Sequence, residues 1–222
     1  MRRIFFFFAI ALIGLAILVS LGVWQVQRLA WKEALLADID ARISGAPGPL
    51  PTSPDPVEDR YRPVEISGEM LADELHVLVS RKRVGAGYRI IAPFRTGDRT
   101  ILIDRGFVPT ADKDVSRAIG LMTVSGNLHW PDEVDGFTPE PDIAGNIWFA
   151  RDVQTMADAL EAEPVLVILR SQTDPAITPL PVDTAGIPND HLHYAVTWFG
   201  LALVWLAMTI FFLRRNRART RS

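Results

Sequence analysis

From Tyr194 to Leu213 the chain carries no charged residue, and this stretch constrains its fold more than any other. A helix rises about 1.5 Å per residue, so roughly 20 apolar residues match the hydrocarbon core of a bilayer. Pro188 cannot sit inside such a helix, and Asn189 or Asp190 just behind it is a good N-cap. The pattern predicts a helix over 190–213 whose first turns, at the water boundary, carry His191 and His193. Imidazole in that position can ligate a metal or haem iron, can titrate near neutral pH, or can serve as a plain interfacial polar group.

A second membrane-length run extends from Ile4 to Val23 and stays uncharged as far as Gln27. A cleaved signal peptide has an apolar core of about 7–15 residues and small residues at its cleavage site. This run is longer, and Gly22-Val23-Trp24-Gln25 offers no such site, so an uncleaved membrane helix is expected. Arg2 and Arg3 precede the first run; Arg214, Arg215, Arg217, Arg219 and Arg221 follow the last. By the positive-inside rule both termini lie in the cytoplasm of a bacterial-type inner membrane. The long segment between the helices then lies outside, in a periplasm or equivalent compartment, since such loops are translocated largely regardless of their own charge.

That middle segment is acidic. Removing the seven tail arginines from 23 Lys+Arg leaves 16 basic residues against 26 Asp+Glu, a balance of about −10. This argues against nucleic acid as a ligand, and against anionic lipid as the ligand of the middle segment. The chain has no cysteine, which excludes disulfides, CxxC redox chemistry, thiolate zinc sites and cysteine-ligated copper. There is no phosphate-binding glycine loop, G-x-S-x-G or H-E-x-x-H, so no enzymatic activity is read.

Residues 1–27 thus form a cytoplasmic tail and the first transmembrane helix, and residues 28–45 a helical extension. In the extension Trp31, Leu35, Ile39 and Ile43 share one face, expected to pack on the outer domain, and Ser44-Gly45 ends it. Residues 46–59 are proline-rich and predict an extended linker. Residues 60–172 read as short strands: Arg60–Ser67, Leu75–Ser80, Tyr88–Arg95 after a Gly85-Ala86-Gly87 turn, Thr100–Asp104, Met122–Trp130, Ile147–Arg151 and Val165–Leu169. Asp152 caps a short helix bearing Val153, Met156, Ala157 and Leu160. Residues 173–189 are an extended, proline-rich return, 190–213 the second transmembrane helix and 214–222 a basic cytoplasmic tail. The fold class is therefore an α+β membrane protein, with two transmembrane helices flanking a small barrel- or sandwich-like β domain with one or two helices.

Within that domain His76 and His129 stand alone in predicted strands and read as surface or core residues. Arg105, in Asp104-Arg105-Gly106-Phe107-Val108-Pro109, has two readings: a strand-end salt bridge in the neighbourhood of Asp104, or a hold on an anionic group. Arg81-Lys82-Arg83 reads as a solvated basic loop.

Because the two helices run antiparallel, Trp24, Gln25, Arg28 and Trp31 fall at the membrane level of His191, His193, Tyr194 and Trp198. Aromatic residues there are common interfacial anchors. They also suit a planar amphipathic molecule such as haem, with imidazole on iron and Arg28 near the propionates. His191 and His193 are roughly 200° apart around a helix and cannot both face one macrocycle. His191 shares a face with Ala195 and Trp198; His193 shares one with Thr197 and Gly200, a small-residue face suited to packing on the first helix.

Three segments carry a resemblance: Leu21-Gly22-x-Trp24-Gln25-x-x-Arg28-x-x-Trp31-Lys32, Asp104-Arg105-Gly106-Phe107-Val108-Pro109, and Asn189-x-His191-Leu192-x-Tyr194-Ala195-x-Thr197-Trp198-Phe199. In this order they resemble the surfeit locus protein one family, assembly factors for haem–copper cytochrome oxidase. The resemblance implies delivery of haem a to cytochrome c oxidase subunit I, with haem a synthase as a further partner and the family's histidine falling on His191. The family's usual tryptophan after Arg-Gly is Phe107 here, which keeps a ring and loses an indole N–H. The candidate cofactor site is then His191 on haem iron, with Arg28, Trp24, Tyr194 and Trp198 beside the macrocycle and His193, which the resemblance does not single out, as the alternative histidine. Two other classes stay open: a structural regulator such as a polysaccharide chain-length protein, which calls for long helices in the loop, and a membrane cytochrome carrying electrons itself.

Overall fold

A computed structural model describes residues 2–219. Arg221 of the predicted basic tail lies outside the described residues, as do the side chains of Arg2, Arg3, Arg217 and Arg219. The chain divides into two compact units, one up to Asp38 together with everything from Thr184 on, the other Ile39–Asp183.

The first unit is helical. Helix α1 (Arg2–Ile43) is continuous and α3 (His191–Arg219) begins just past the expected cap, with Tyr194 N–H donating to the Asp190 carbonyl at 3.2 Å. The 42 residues of α1 make roughly 63 Å of helix, about twice a hydrocarbon core. Phe5–Ile43 and His191–Arg215 are long and apolar enough to cross a membrane, and only 6% of each apolar window is buried. Phe5 is 77% exposed and Phe211 66%, whereas a soluble core helix would hide such side chains. In the extension, Trp31 and Leu35 are exposed as well. The Arg28 guanidinium lies 4.4 Å over the Trp31 ring, a cation–π contact that an exposed indole can make in place of core packing.

The second unit is built on a six-stranded sheet of β1 (Pro63–Met70), β2 (Leu75–Arg81), β3 (Gly85–Thr96), β4 (Arg99–Pro109), β5 (Gly120–Leu128) and β6 (Leu166–Leu169). Pairing runs β1–β5–β6–β4–β3, and β3 returns to β1 through Glu69↔Arg95 and Met70↔Phe94. Five strands therefore close into a small barrel. The first half of β3 pairs instead with β2, which lies outside the ring as a hairpin partner. All pairings are antiparallel except β4 with β6.

Side-chain alternation assigns the two faces. Val64, Ile66, Phe94, Ile101, Ile103 and Val167 form one buried cluster inside the barrel. The intervening Ile91, Leu102, Leu166 and Ile168 form a second on the outer face. Helix α2 (Val153–Ala159) covers that outer face with Val153, Met156 and Ala157. Both faces of β6 are thereby buried, so its sequence is uniformly apolar. As expected, Asp152 caps α2, its carboxylate accepting from the Gln154 and Thr155 N–H groups.

Two expectations for the strands change. Ile147–Arg151 is not a strand; Trp148 makes a single bridge to Val77, and Arg151 turns away because Glu133 takes both its N–H and its guanidinium. The β2–β3 turn is Lys82–Val84, not Gly85-Ala86-Gly87, which already belongs to β3. Arg83 and Gly85 take the positive φ values that so tight a reversal requires. The proline-rich segment 46–59 lies against the barrel: Gly48 bridges to Val64, Leu50 joins the interior cluster, and the Pro51 carbonyl accepts from Arg99.

Candidate functional site

In the helical unit, small residues set how closely the backbones approach. Gly22 is buried, and a Cβ there would come within 2.7 Å of the Phe199 ring. At Gly14 a Cβ would come within 2.7 Å of the Trp205 indole, whose N–H donates to the Ala11 carbonyl at 2.9 Å. Ala195 and Ala202 are buried as well. The packed face of α3 thus contains Ala195, Phe199 and Ala202. The Thr197–Gly200 face expected to pack on the first helix does not do so: Gly200 has open space around it, and the Thr197 hydroxyl donates to the His193 carbonyl of its own helix.

On that packed face, one turn of α1 beyond Gly22, stands Gln25, buried inside an otherwise apolar surface. A buried amide needs a partner. It finds one in His191, whose Nδ1 lies 2.8 Å from Gln25 Oε1. An amide oxygen only accepts, so Nδ1 is the donor, and in a neutral ring Nε2 is then the nitrogen with a free lone pair. This is the arrangement in which a second group fixes ring tautomer and orientation for ligation through the other nitrogen.

The remaining predicted site residues are placed differently. His193 is exposed, a little over half a turn around α3 from His191, its ring edge-on to Tyr194 at 6.1 Å between centroids. Trp24 and Tyr194 are also exposed, Trp198 is half-buried, and Arg28 sits over Trp31. His191 and Gln25 are therefore joined directly, while Trp24, Arg28 and Trp31 share an adjoining stripe of α1. Gln25 was visible in the sequence as a polar residue at the histidines' level; its pairing with His191 was not, because that depends on the rotation of both helices.

The β unit has its own polar centres. Asp104 is fully buried; its Oδ2 accepts from Arg89 at 2.6 Å and Arg151 at 3.3 Å, and its Oδ1 from Gly106 N–H at 3.1 Å. Burial opposes the charges of Arg151 and Glu133, but their mutual bonding outweighs it, raising the Arg151 pKa and lowering that of Glu133. Two arginines balance two carboxylates, which marks a structural network. His129 lies beside it, stacked on Tyr61 at 5.2 Å. Burial, then the charges of Arg151 and Arg60, push its pKa down to about 4.

Arg105 does not join this network, contrary to the salt-bridge reading near Asp104. The register slips between Ile90↔Gly106 and Ile91↔Asp104, so Arg105 is the extra residue of a β-bulge. Gly106, at φ 118°, makes the bulge possible. The bulge breaks the alternation of β4, and Asp104 and Arg105 both end up buried.

Among known proteins, the model of the SURF1 family matches residues 12–203. The chain is 32% identical over 223 residues to a SURF1-like protein of Monosiga brevicollis, covering 90% of this chain and 85% of that one. It is 34% identical over 210 residues to Surfeit locus protein 1 of Xenopus tropicalis, covering 82% and 67%. With a SURF1-like protein of Rickettsia felis the identity is 30% over 227 residues, covering 93% and 96%.

Proposed function

Since the chain belongs to the SURF1 family, we propose that it is an assembly factor for haem–copper cytochrome c oxidase, anchored in a membrane by α1 and α3. Arginines outside both apolar runs support cytoplasmic termini and an extracytoplasmic β unit. Its cargo in this reading is haem a, handed to oxidase subunit I, with haem a synthase as the supplier.

The observation that carries the reading is the Gln25–His191 hydrogen bond. The donor set suits a haem: neutral imidazole is a common axial ligand, and the bond at Nδ1 leaves Nε2 to ligate. His191 Nε2 would hold the iron, and Gln25 would hold the ring in its ligating tautomer. Arg28, exposed near the predicted water boundary, supplies charge for the propionates, while Trp24, Tyr194 and Trp198 offer aromatic surface. His193, on another face of α3, takes no part in ligation. When bound, the haem contributes its iron and its apolar ring as cargo; the chain holds and orients it rather than catalysing a reaction.

Of the other classes, a chain-length regulator calls for long helices between its anchors, and a five-strand barrel stands there instead. A resident cytochrome would carry one redox-active haem per molecule, a carrier less than one and transferable. The test is genetic. In cells lacking this chain, oxidase should form with subunit I poor in haem a, and the wild-type chain should restore its spectrum. Normal haem a content in the deletion strain would overturn the reading.

A further inference from the structure

On the β unit, the connection from Trp130 to Ala150 displays apolar side chains among acidic ones. Phe137 is 94% exposed, Ile143 71% and Val134 54%, and Phe149 is exposed as well. The loop that carries them is tied down. Asp135 Oδ1 accepts from the Phe137 N–H at 2.8 Å, and Asp142 Oδ1 from the Gly145 N–H at 3.0 Å. Asp142 and Ile147 exchange both backbone bonds, and Asn146 Nδ2 donates to the Glu74 carbonyl. The fold thus holds the backbone at Phe137 while leaving its ring in water, and apolar side chains gathered on such a segment mark an interaction surface. Beside them Val134, Pro141, Trp148 and Phe149 line a cavity of about 270 Å³, with Glu140 and Asp152 in its wall. Sites for whole small molecules run to roughly 300–1,000 Å³, so this one suits a single inserted side chain.

Charge says what kind of segment would bring that side chain. Residues 131–150 hold five carboxylates, Asp132, Glu133, Asp135, Glu140 and Asp142, and no lysine or arginine. Glu133 is paired with Arg151. Asp135 and Asp142 accept backbone N–H bonds and keep their charge; at Asp135 those bonds hold the carboxyl below its ordinary range. Two cations reach the ends of the loop, Arg60 at the Trp130 carbonyl and Lys113 at the Gly145 carbonyl. Setting Asp132, Asp135, Glu140, Asp142 and Asp152 against Arg60 and Lys113 leaves three negative charges in excess. Such a surface repels an anionic lipid headgroup, and it repels the same surface of a second copy.

We propose that this surface docks a basic polypeptide segment of another protein. One apolar side chain of that segment fills the cavity as the anchor, and lysine or arginine on either side of it meets Glu140 and Asp152.

The probe is a blocked pentapeptide with two basic residues on each side of a phenylalanine, titrated by calorimetry into the full-length protein in non-ionic detergent. It should bind saturably at one site, and more weakly as salt is raised. The same peptide with alanine at its centre should bind about tenfold more weakly, and one with acidic flanks should not bind. Phe137→Ser and Glu140→Lys, both at exposed positions, should each weaken the basic peptide about tenfold with unchanged circular dichroism. Asp98→Lys, the corresponding charge reversal on the exposed β3–β4 turn, should keep wild-type affinity. The proposal is overturned if the basic peptide does not saturate, if the acidic-flanked one binds as tightly, or if Phe137→Ser and Glu140→Lys both keep wild-type affinity. It is also overturned if Asp98→Lys weakens binding as much as Glu140→Lys, which would reduce the effect to net charge. Self-association of the peptide-free protein that Glu140→Lys abolishes would give the surface to a second copy instead.

Discussion

Gln25 Oε1 and His191 Nδ1 lie 2.8 Å apart, joining residues 166 positions apart in sequence through the one buried amide of α1's packed face. The contact sets which imidazole nitrogen keeps a lone pair. Removing it separates orientation from ligation: Gln25→Leu keeps His191 but frees its ring. Haem affinity should fall about 10- to 100-fold, as for other groups that orient a metal ligand. Haem titration of the purified variant measures this, and wild-type affinity would show that the amide does not orient the histidine.

The approach of the two helices rests on Gly22. Gly22→Leu must displace the Phe199 ring, at a cost of about 1–3 kcal/mol for overpacking. Gly200→Leu, with no heavy atom within 4 Å of its Cβ, should be neutral. Thermal unfolding in detergent and haem retention should both fall for Gly22→Leu alone. Equal effects from the two variants would contradict the packing described.

Gly106 supports the bulge in two ways. Its φ of 118° disfavours any side chain, and a Cβ would lie 2.3 Å from the Thr178 carbonyl oxygen. Gly106→Ala should therefore cost more than about 3 kcal/mol. Gly97→Ala, also at positive φ but in open space, should cost only about 1–2 kcal/mol. Denaturant melts of the two variants rank them.

His129 gives the β unit a pH dependence. Its folded pKa is about 4 against 6.5 for the free group, so the unfolded chain binds the extra proton between those values. The stabilisation is complete above about pH 6.5 and is lost as pH falls toward 4, amounting to roughly 3 kcal/mol at most. His129→Phe keeps a ring for stacking on Tyr61 and cannot titrate, so its stability should be flatter over that window. An unchanged slope would place the pH dependence on other groups.

Much of this fold is legible along the chain. Val64 and Ile66 alternate into the barrel as their spacing indicates, Asp152 caps α2, and the two apolar runs form the long helices. What was not legible depends on register and rotation. Asp104 and Arg105 read as a strand-end pair, yet a one-residue slip against β3 sends them to different partners. Ile147–Arg151 has a strand's composition, but Ile147 and Trp148 make only isolated bridges and Arg151 is bonded to Glu133. On α3 the small side chains at Thr197 and Gly200 suggested a packing face. The rotation that buries Ala195 and Ala202 left that face open, and with it His193.

The central claim is that His191, and not His193, holds the haem. The direct measurement is the optical spectrum of wild-type, His191→Ala and His193→Ala proteins purified from cells that make haem a. Wild type and His193→Ala should carry haem absorption. His191→Ala should purify in near-normal amount with little haem, because among the described residues its side chain makes one hydrogen bond, to Gln25. Haem lost from His193→Ala and kept in His191→Ala would reverse the assignment, and haem kept in both would remove histidine ligation from the account.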